Sequence, residues 1–270
     1  MRGTSQASRD AVLETFDVVA TAAGKDALTI AEQLHAAVDA LDSSGSLRRA
    51  LTDPARLGHD KAELVDALFG SYDPRAVDVL KDFAHARWSA DKDFAESVEL
   101  AGAHALFAYA EASGKLDEVE EELFHVERVL TSNRDLLTAM SNRSAQKEAR
   151  LGVFTDVFGG KLSEITTAIL ARVVATPRGR RLVPTIDLLL QAAARRRNRV
   201  IANVSAAVEL SAAQRSRLAT ILSDAYGKKV QINATVDPEV LGGVRVQVGA
   251  EVVDGTVLAR LDDARRRLVG

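Results

Sequence analysis

Leu41–Gly70 reads LDSSGSLRRALTDPARLGHDKAELVDALFG, and Leu130–Gly159 reads LTSNRDLLTAMSNRSAQKEARLGVFTDVFG. Set one above the other without a gap, at an offset of 89 residues (130 minus 41), the two agree in kind. Leu47 meets Leu136, Leu51 meets Met140, Lys61 meets Arg150, Leu68 meets Val157, Phe69 meets Phe158 and Gly70 meets Gly159. The segments upstream agree as well: Ile30, Leu34, Ala37 and Leu41 in one, and Leu116, Val119, Leu123, Val126 and Leu130 in the other, fall three or four apart. That spacing keeps one face of a helix buried. A duplicated helical unit is therefore expected. Its period of about 90 residues exceeds the 20 to 50 of a solenoid repeat, so each copy is read as a whole bundle, over residues 1–100 and 101–198.

The composition suits this reading. A chain of 270 residues has room for two or three domains, and 47% apolar with 27% charged residues is the balance of a folded, water-facing protein. Alanine, leucine, glutamate and arginine are abundant and aromatics make up only 4%, which favours helices. The formal net charge of -3 offers no bulk attraction for nucleic acid or anionic lipid. With no cysteine, disulfides, thiolate zinc sites and cysteine nucleophiles are excluded. The N-terminal stretch lacks a continuous apolar leader region and no segment has 18 consecutive apolar residues, so a cytoplasmic chain that does not span a membrane is expected.

After Arg199 the texture changes. VIANVSAAVEL alternates like a strand, SAAQRSRLATILSDAYG opens with a Ser-x-x-Gln capping box and stops at Gly227, and KVQINATVD and GVRVQVG alternate again. The last segment, GTVLARLDDARRRLVG, has helical spacing. The fold class expected is mainly α with a small α/β C-terminal domain: tandem helical bundles, then a strand-helix-strand-strand-helix domain over 199–270. Within it, Val244, Val246 and Val248 share one strand face, with Arg245 and Gln247 on the other.

Catalytic equipment is not legible. The five histidines, His35, His59, His85, His104 and His125, are not spaced as a metal pair on a helix or strand. FGGKLS from Phe158 lacks the upstream glycine of a phosphate loop and has leucine where the hydroxyl residue belongs, and neither a dinucleotide-binding nor a nucleophile-elbow motif is present. No catalytic, cofactor or metal site is expected. Arginines cluster at 178, 180, 181, 195, 196, 197 and 199. They read either as an RNA-phosphate face or as a solvated or docking face, and the lack of interleaved aromatics favours the second.

In VDPEVLGGVRVQVGAEVVDGTVLARL, Val236–Leu261, Asp237 and Pro238 initiate a turn, Gly242 and Gly243 free the backbone before a strand, and Asp254 stands where a carboxylate can cap a final helix. This segment resembles the delta subunit family of bacterial F-type ATP synthases, the family of the oligomycin-sensitivity-conferring protein. The pattern is carried by Val236, Asp237, Pro238, Val240, Leu241, Gly242, Gly243, Val244 and Val246, then Gly249 and Asp254. VSAAVELSAAQ and Tyr226-Gly227-Lys228 upstream are similar to further family elements, as are HALFAYAEASGKLDEVEEEL and LLTAMSNRSAQKEARLGVF in the second bundle. One departure is Arg143, where the family usually has proline; the first copy keeps Asp53-Pro54. The other is length, since the family typically has one bundle and one small domain. The resemblance covers roughly 101–268, and the added bundle looks like that of relatives from high-GC Gram-positive bacteria.

The resemblance implies a stator subunit of the peripheral stalk rather than an enzyme. It implies as partners the N-terminal helices of the alpha subunits, gripped by a helical bundle, and the C-terminal region of the b subunit, held by the small domain. No cofactor and no nucleic acid is implied, and the membrane is reached only through the complex, at its cytoplasmic face. Asp237, Pro238, Leu241, Gly242, Gly243, Val244, Val246, Asp254, Leu258 and Leu261 are the motif residues, either shaping the small domain or touching the stalk. A second bundle would add another grip on the same assembly. The rival reading is a helical RNA-binding regulator resembling an antitermination factor.

Overall fold

The apolar stripes identified above lie on α2 (Ala27–Ser43) and α7 (Leu116–Ser132), each 17 residues long, and the residues of both stripes are buried. In the computed structural model, which describes residues 3–177, 181–197, 200–228, 230–237, 240, 242–248 and 251–254, the correspondence continues element by element. Helices α3 (Gly45–Thr52) and α8 (Arg134–Ser141) have 8 residues each, α4 (Gly58–Phe69) and α9 (Lys147–Phe158) have 12, and α5 (Pro74–His85) and α10 (Glu164–Ala175) have 12. Helix α1 (Gly3–Ala23) precedes the first run, α6 (Asp91–Ala112) stands between the runs, and α11 (Leu182–Arg197) closes the second.

The polar contacts that end and begin these helices recur too. The Ser44 hydroxyl accepts from the backbone N–H of Leu47 at the start of α3, and 89 residues later the Asn133 amide oxygen accepts from that of Leu136 at the start of α8. The Gln33 side chain accepts from the N–H of Asp73 at 2.8 Å; Glu122 accepts from the N–H of Ser163 at 2.7 Å. Such contacts satisfy helix-end donors that would otherwise be left without partners. A buried cation also recurs. Arg150 donates to the carbonyls of Val174 and Ala175 at the end of α10 and of Ala145 in the preceding loop, and Lys61 is buried at the matching position, where desolvation pushes its ammonium pKa down.

Asp73, the N-cap of α5, accepts from the backbone N–H of Arg75 and from both Nε and Nη2 of its side chain. The hydrogen bond from Arg75 holds the Asp73 carboxyl below its ordinary pKa. Because the folded-state value is the lower one, the stabilisation is present above the unfolded pKa and is lost as pH falls through the folded value. Asp73→Ala is expected to cost about 1 kcal/mol at neutral pH. In denaturant titrations its stability and that of the unaltered chain should converge in acid, and a gap that persists there would contradict the assignment.

Helix α6 is buried almost all round: Phe94, Ala95, Val98, Ala101, Gly102, Ala105, Leu106 and Ala108 are each at most 3% exposed or, for Gly102, buried. A helix apolar on every side belongs in the middle of a core. The join placed by sequence at 100/101 lies inside α6, which contacts α1, α2, α3 and α5 as well as α7, α10 and α11. The helices accordingly share one continuous apolar cluster, from Leu13 to Ala193, within a compact unit Met1–Arg197. Gly102 is what lets α2 approach, since a methyl group there would overlap the His35 ring. A buried charge cluster ties the ends together: Asp17 of α1 accepts from Nη1 of Arg196 on α11 at 3.2 Å and pairs with Nδ1 of His104 on α6 at 2.8 Å. Arg196 also donates to Glu111 at 2.6 Å and to the hydroxyl of Thr21.

The second compact unit is Asn198–Gly270. Strands β1 (Val200–Ala206), β2 (Val230–Val236), β3 (Val244–Val248) and β4 (Glu251–Asp254) form one sheet in the order β2-β1-β3-β4. β1 and β2 are parallel, joined through α12 (Ala212–Tyr226), while β3 is antiparallel to both β1 and β4. The capping box read in the sequence is present at Ser211 and Gln214, and Gly227 ends the helix in the left-handed conformation at φ 64°. The chain is thus mainly α with a small α/β C-terminal part. Strand β4 is an addition to the sequence reading: EVVD has too few residues to show a period of two by itself, and it is defined by pairing with β3 from Arg245↔Asp254 to Val248↔Glu251. The final helix expected after Asp254 lies outside the described residues.

Candidate functional site

The helical unit contains an apolar cleft of about 50 Å³ between α6, α10 and α11. Leu100, Ala103, Ile169 and Leu189 line it as buried residues, and Val173 and Leu188 as partly exposed ones. A helix is about 10 Å across, so the cleft takes side chains from an approaching helix rather than the helix itself. Helical periodicity supplies these residues: Leu100 and Ala103 are three apart on α6, and Ile169 and Val173 four apart on α10.

Charged groups also line the cleft. The Arg172 guanidinium donates to Glu99 through Nε at 2.7 Å and Nη2 at 3.1 Å, and to Asp39 of α2 through Nη2 at 2.8 Å. Burial disfavours its charge, but the hydrogen bonds to Glu99 and Asp39 prevail and raise its pKa. His35, also on α2, brings Nε2 to 3.9 Å from Glu99 and lines the cleft itself. Of these residues only His35 was named from sequence, among the histidines set aside as metal ligands. Asp39 and Arg172 are 133 residues apart, and no local pattern announces a pair at that separation.

In the small unit the described motif residues flank β1: Asp237 follows β2 on one edge, Gly242, Gly243, Val244 and Val246 lead into and lie on β3 on the other, and Asp254 stands on β4 beyond it. The N–H of Asp237 donates to the carbonyl of Ala206, and its own carbonyl accepts from Val240, which fixes the turn after β2. Gly243 has φ 81°, a conformation that a β-carbon disfavours, at the entry to β3. Val246 and Val248 are buried and Val244 packs against the same small core, whereas Arg245 and Gln247 are exposed, in the alternation that the sequence suggested. Asp254 ends β4, paired in register with Arg245. Pro238, Leu241, Leu258 and Leu261 lie outside the described residues.

The arginine cluster separates in space. Arg196 is 3% exposed and committed to Asp17 and Glu111, and Arg197 pairs with Glu120 at 3.3 Å. Arg178, Arg180 and Arg199 lie outside the described residues. Among the described residues no group of three or more His, Asp or Glu side chains is arranged to hold a metal ion, and no helix is long and apolar enough to cross a membrane.

The family model described as ATP synthase delta (OSCP) subunit matches residues 101–268. Proteins called ATP synthase subunit delta are similar over the whole length: one from Beutenbergia cavernae is 46% identical, covering 100% of both chains. One from Streptomyces avermitilis is 41% identical over 98% of both, and one from Thermobifida fusca is 35% identical over 100% of both. A chain in the structure of the Toxoplasma gondii mitochondrial ATP synthase hexamer is 18% identical, with a TM-score of 0.30, over 62% of this chain and 95% of that one. That superposition is too loose to bear on fold or function.

Proposed function

The chain belongs to the ATP synthase delta (OSCP) subunit family, and from that membership we propose that it is a stator subunit of an F-type ATP synthase, joining the alpha subunits of the catalytic head to the b subunit of the peripheral stalk. The observation that carries this reading is the similarity to relatives named for that subunit along the whole chain, extension included. The duty is mechanical. A head held against the rotor lets proton-driven rotation deform the catalytic sites, and the subunit needs affinity rather than chemistry to hold it. It sits at the cytoplasmic face of the membrane, peripheral and within the complex. The second run of helices takes the N-terminal helix of an alpha subunit, and the small domain takes the C-terminal region of b.

The cleft suits an amphipathic helix because its residues are apolar in the middle and charged beside it. The test is calorimetric titration of the full chain with two synthetic baits, the N-terminal segment of alpha and the C-terminal segment of b. Both should bind. Leu188→Arg, which places a charge in the cleft, is expected to weaken the alpha peptide by about thirtyfold, the loss of one apolar anchor, and to leave the b peptide unaffected. If neither bait binds, the stator reading fails.

A further inference from the structure

The first run of helices has a position equivalent to the cleft, and it is already full. Val173 of the cleft is the tenth residue of α10, and the tenth residue of α5 is Phe83; Thr185, another lining residue, is the fourth of α11, and the fourth of α6 is Phe94. Counted from the helix starts, phenylalanines stand in the first run where the second has valine and threonine, and both phenylalanines are fully buried. Trp88 lies between them, with ring centroids 6.0 Å from Phe83 and 5.9 Å from Phe94, and its indole N–H donates to the Phe83 carbonyl at 2.7 Å. Helix α1 closes the region from outside: Ser8 donates to the Arg87 carbonyl, and the buried Ser5 hydroxyl accepts from the N–H of Ser89.

What the first run contributes instead is α2. His35 lines the open cleft, and Asp39 holds the outer edge of Arg172, whose inner edge is held by Glu99. Both residues of α2 lie upstream of 101, where the match to the family model begins. We propose that the extension is not a second docking site but the side wall of the single one, and that Asp39 is a positioning residue that keeps the Arg172 guanidinium against Glu99 and out of the space an incoming helix occupies. The proposal rests on the stator reading in one respect, the identity of the occupant as the amphipathic N-terminal helix of an alpha subunit. A wall made partly of added sequence gives the long form a cleft whose selectivity for that helix is set by both runs.

Asp39 suits a clean test because its side chain is 66% exposed and its ion pair is with Arg172, so a change there spares the core. Calorimetric titration of the full chain with the alpha peptide should give one peptide per chain. Asp39→Arg sets a like charge against Arg172 and is expected to weaken binding about tenfold, while Asp39→Glu restores the affinity, and thermal melting stays the same in all three proteins. Trp88→Phe, in the filled region, should leave affinity and stoichiometry unaltered. Two peptides per chain, or equal affinity for Asp39→Arg and the unaltered chain, would overturn the proposal while leaving the stator reading intact. Failure of the unaltered chain to bind either the alpha or the b peptide would overturn that reading and this proposal with it, and no effect of Leu188→Arg would overturn this proposal alone.

Discussion

A chain beginning at Asp91, without the first run of helices, is expected to lose cooperative folding of its helical part, although it retains the whole segment that matches the family model. Helical geometry puts Ala95, Val98, Gly102, Ala105 and Leu106 on or beside the face that α2 covers, the face where Gly102 meets His35. Uncovering an aliphatic side chain costs about 1.5 to 3 kcal/mol, and a domain's entire stability is about 5 to 15 kcal/mol. Losing several such contacts, along with the pairing of Arg196 to Asp17, takes away a large part of that margin. The expected result is a truncated protein that associates on size-exclusion chromatography and melts without a sharp transition by circular dichroism. A monomer melting within a few degrees of the full chain would mean that α6 does not need α2, and that the shared core is a matter of contact rather than of stability.

Asp17→Ala is the single substitution expected to cost most. The carboxylate is 4% exposed and faces Arg196, itself 3% exposed, and His104. Removing one partner of a buried pair leaves the other desolvated with incomplete compensation, which typically costs about 3 to 5 kcal/mol. Glu111 and Thr21 still receive hydrogen bonds from Arg196, so the lower end, about 3 kcal/mol, is expected. For a unit of this size that lowers the melting temperature by roughly 6 to 12 °C. Replacing Arg196 by methionine in the same background should recover part of the loss, because an apolar side chain then occupies a site without an unmatched charge. A double variant less stable than Asp17→Ala would refute the pairing as the source of the cost.

Much of the fold was legible because it rests on local chemistry. The stripes of α2 and α7, the capping box at Ser211 and the stop at Gly227 all act within a few residues of where they stand. The offset of 89 carried the rest of the helical pattern. What could not be read was whatever depends on long-range pairing. Beyond the stripe of Lys92, Glu96 and Glu99, helix α6 has no polar face to give it a period, since both runs pack on it, and so its sequence did not disclose that it serves both. The same holds for the candidate site: His35, Asp39, Glu99 and Arg172 are ordinary surface residue types until α2 and α10 are brought together. In the small domain β1, α12, β2 and β3 were legible from alternating valines, the capping box and Gly227, whereas the four residues of β4 are strand only because β3 lies beside them.

Helix α6 also has a consequence under load. Two bundles connected by a loose segment would yield to a pull first by straightening that segment, an entropic spring with little resistance at short extension. Here the connection is a rod of 22 residues, roughly 33 Å at 1.5 Å per residue, gripped by neighbours along both halves. Drawing the two runs apart means shearing side chains out of a close-packed interior, which is stiff and then fails abruptly rather than stretching. The helical part therefore acts as a splint, passing a pull on one run to the other without stretching.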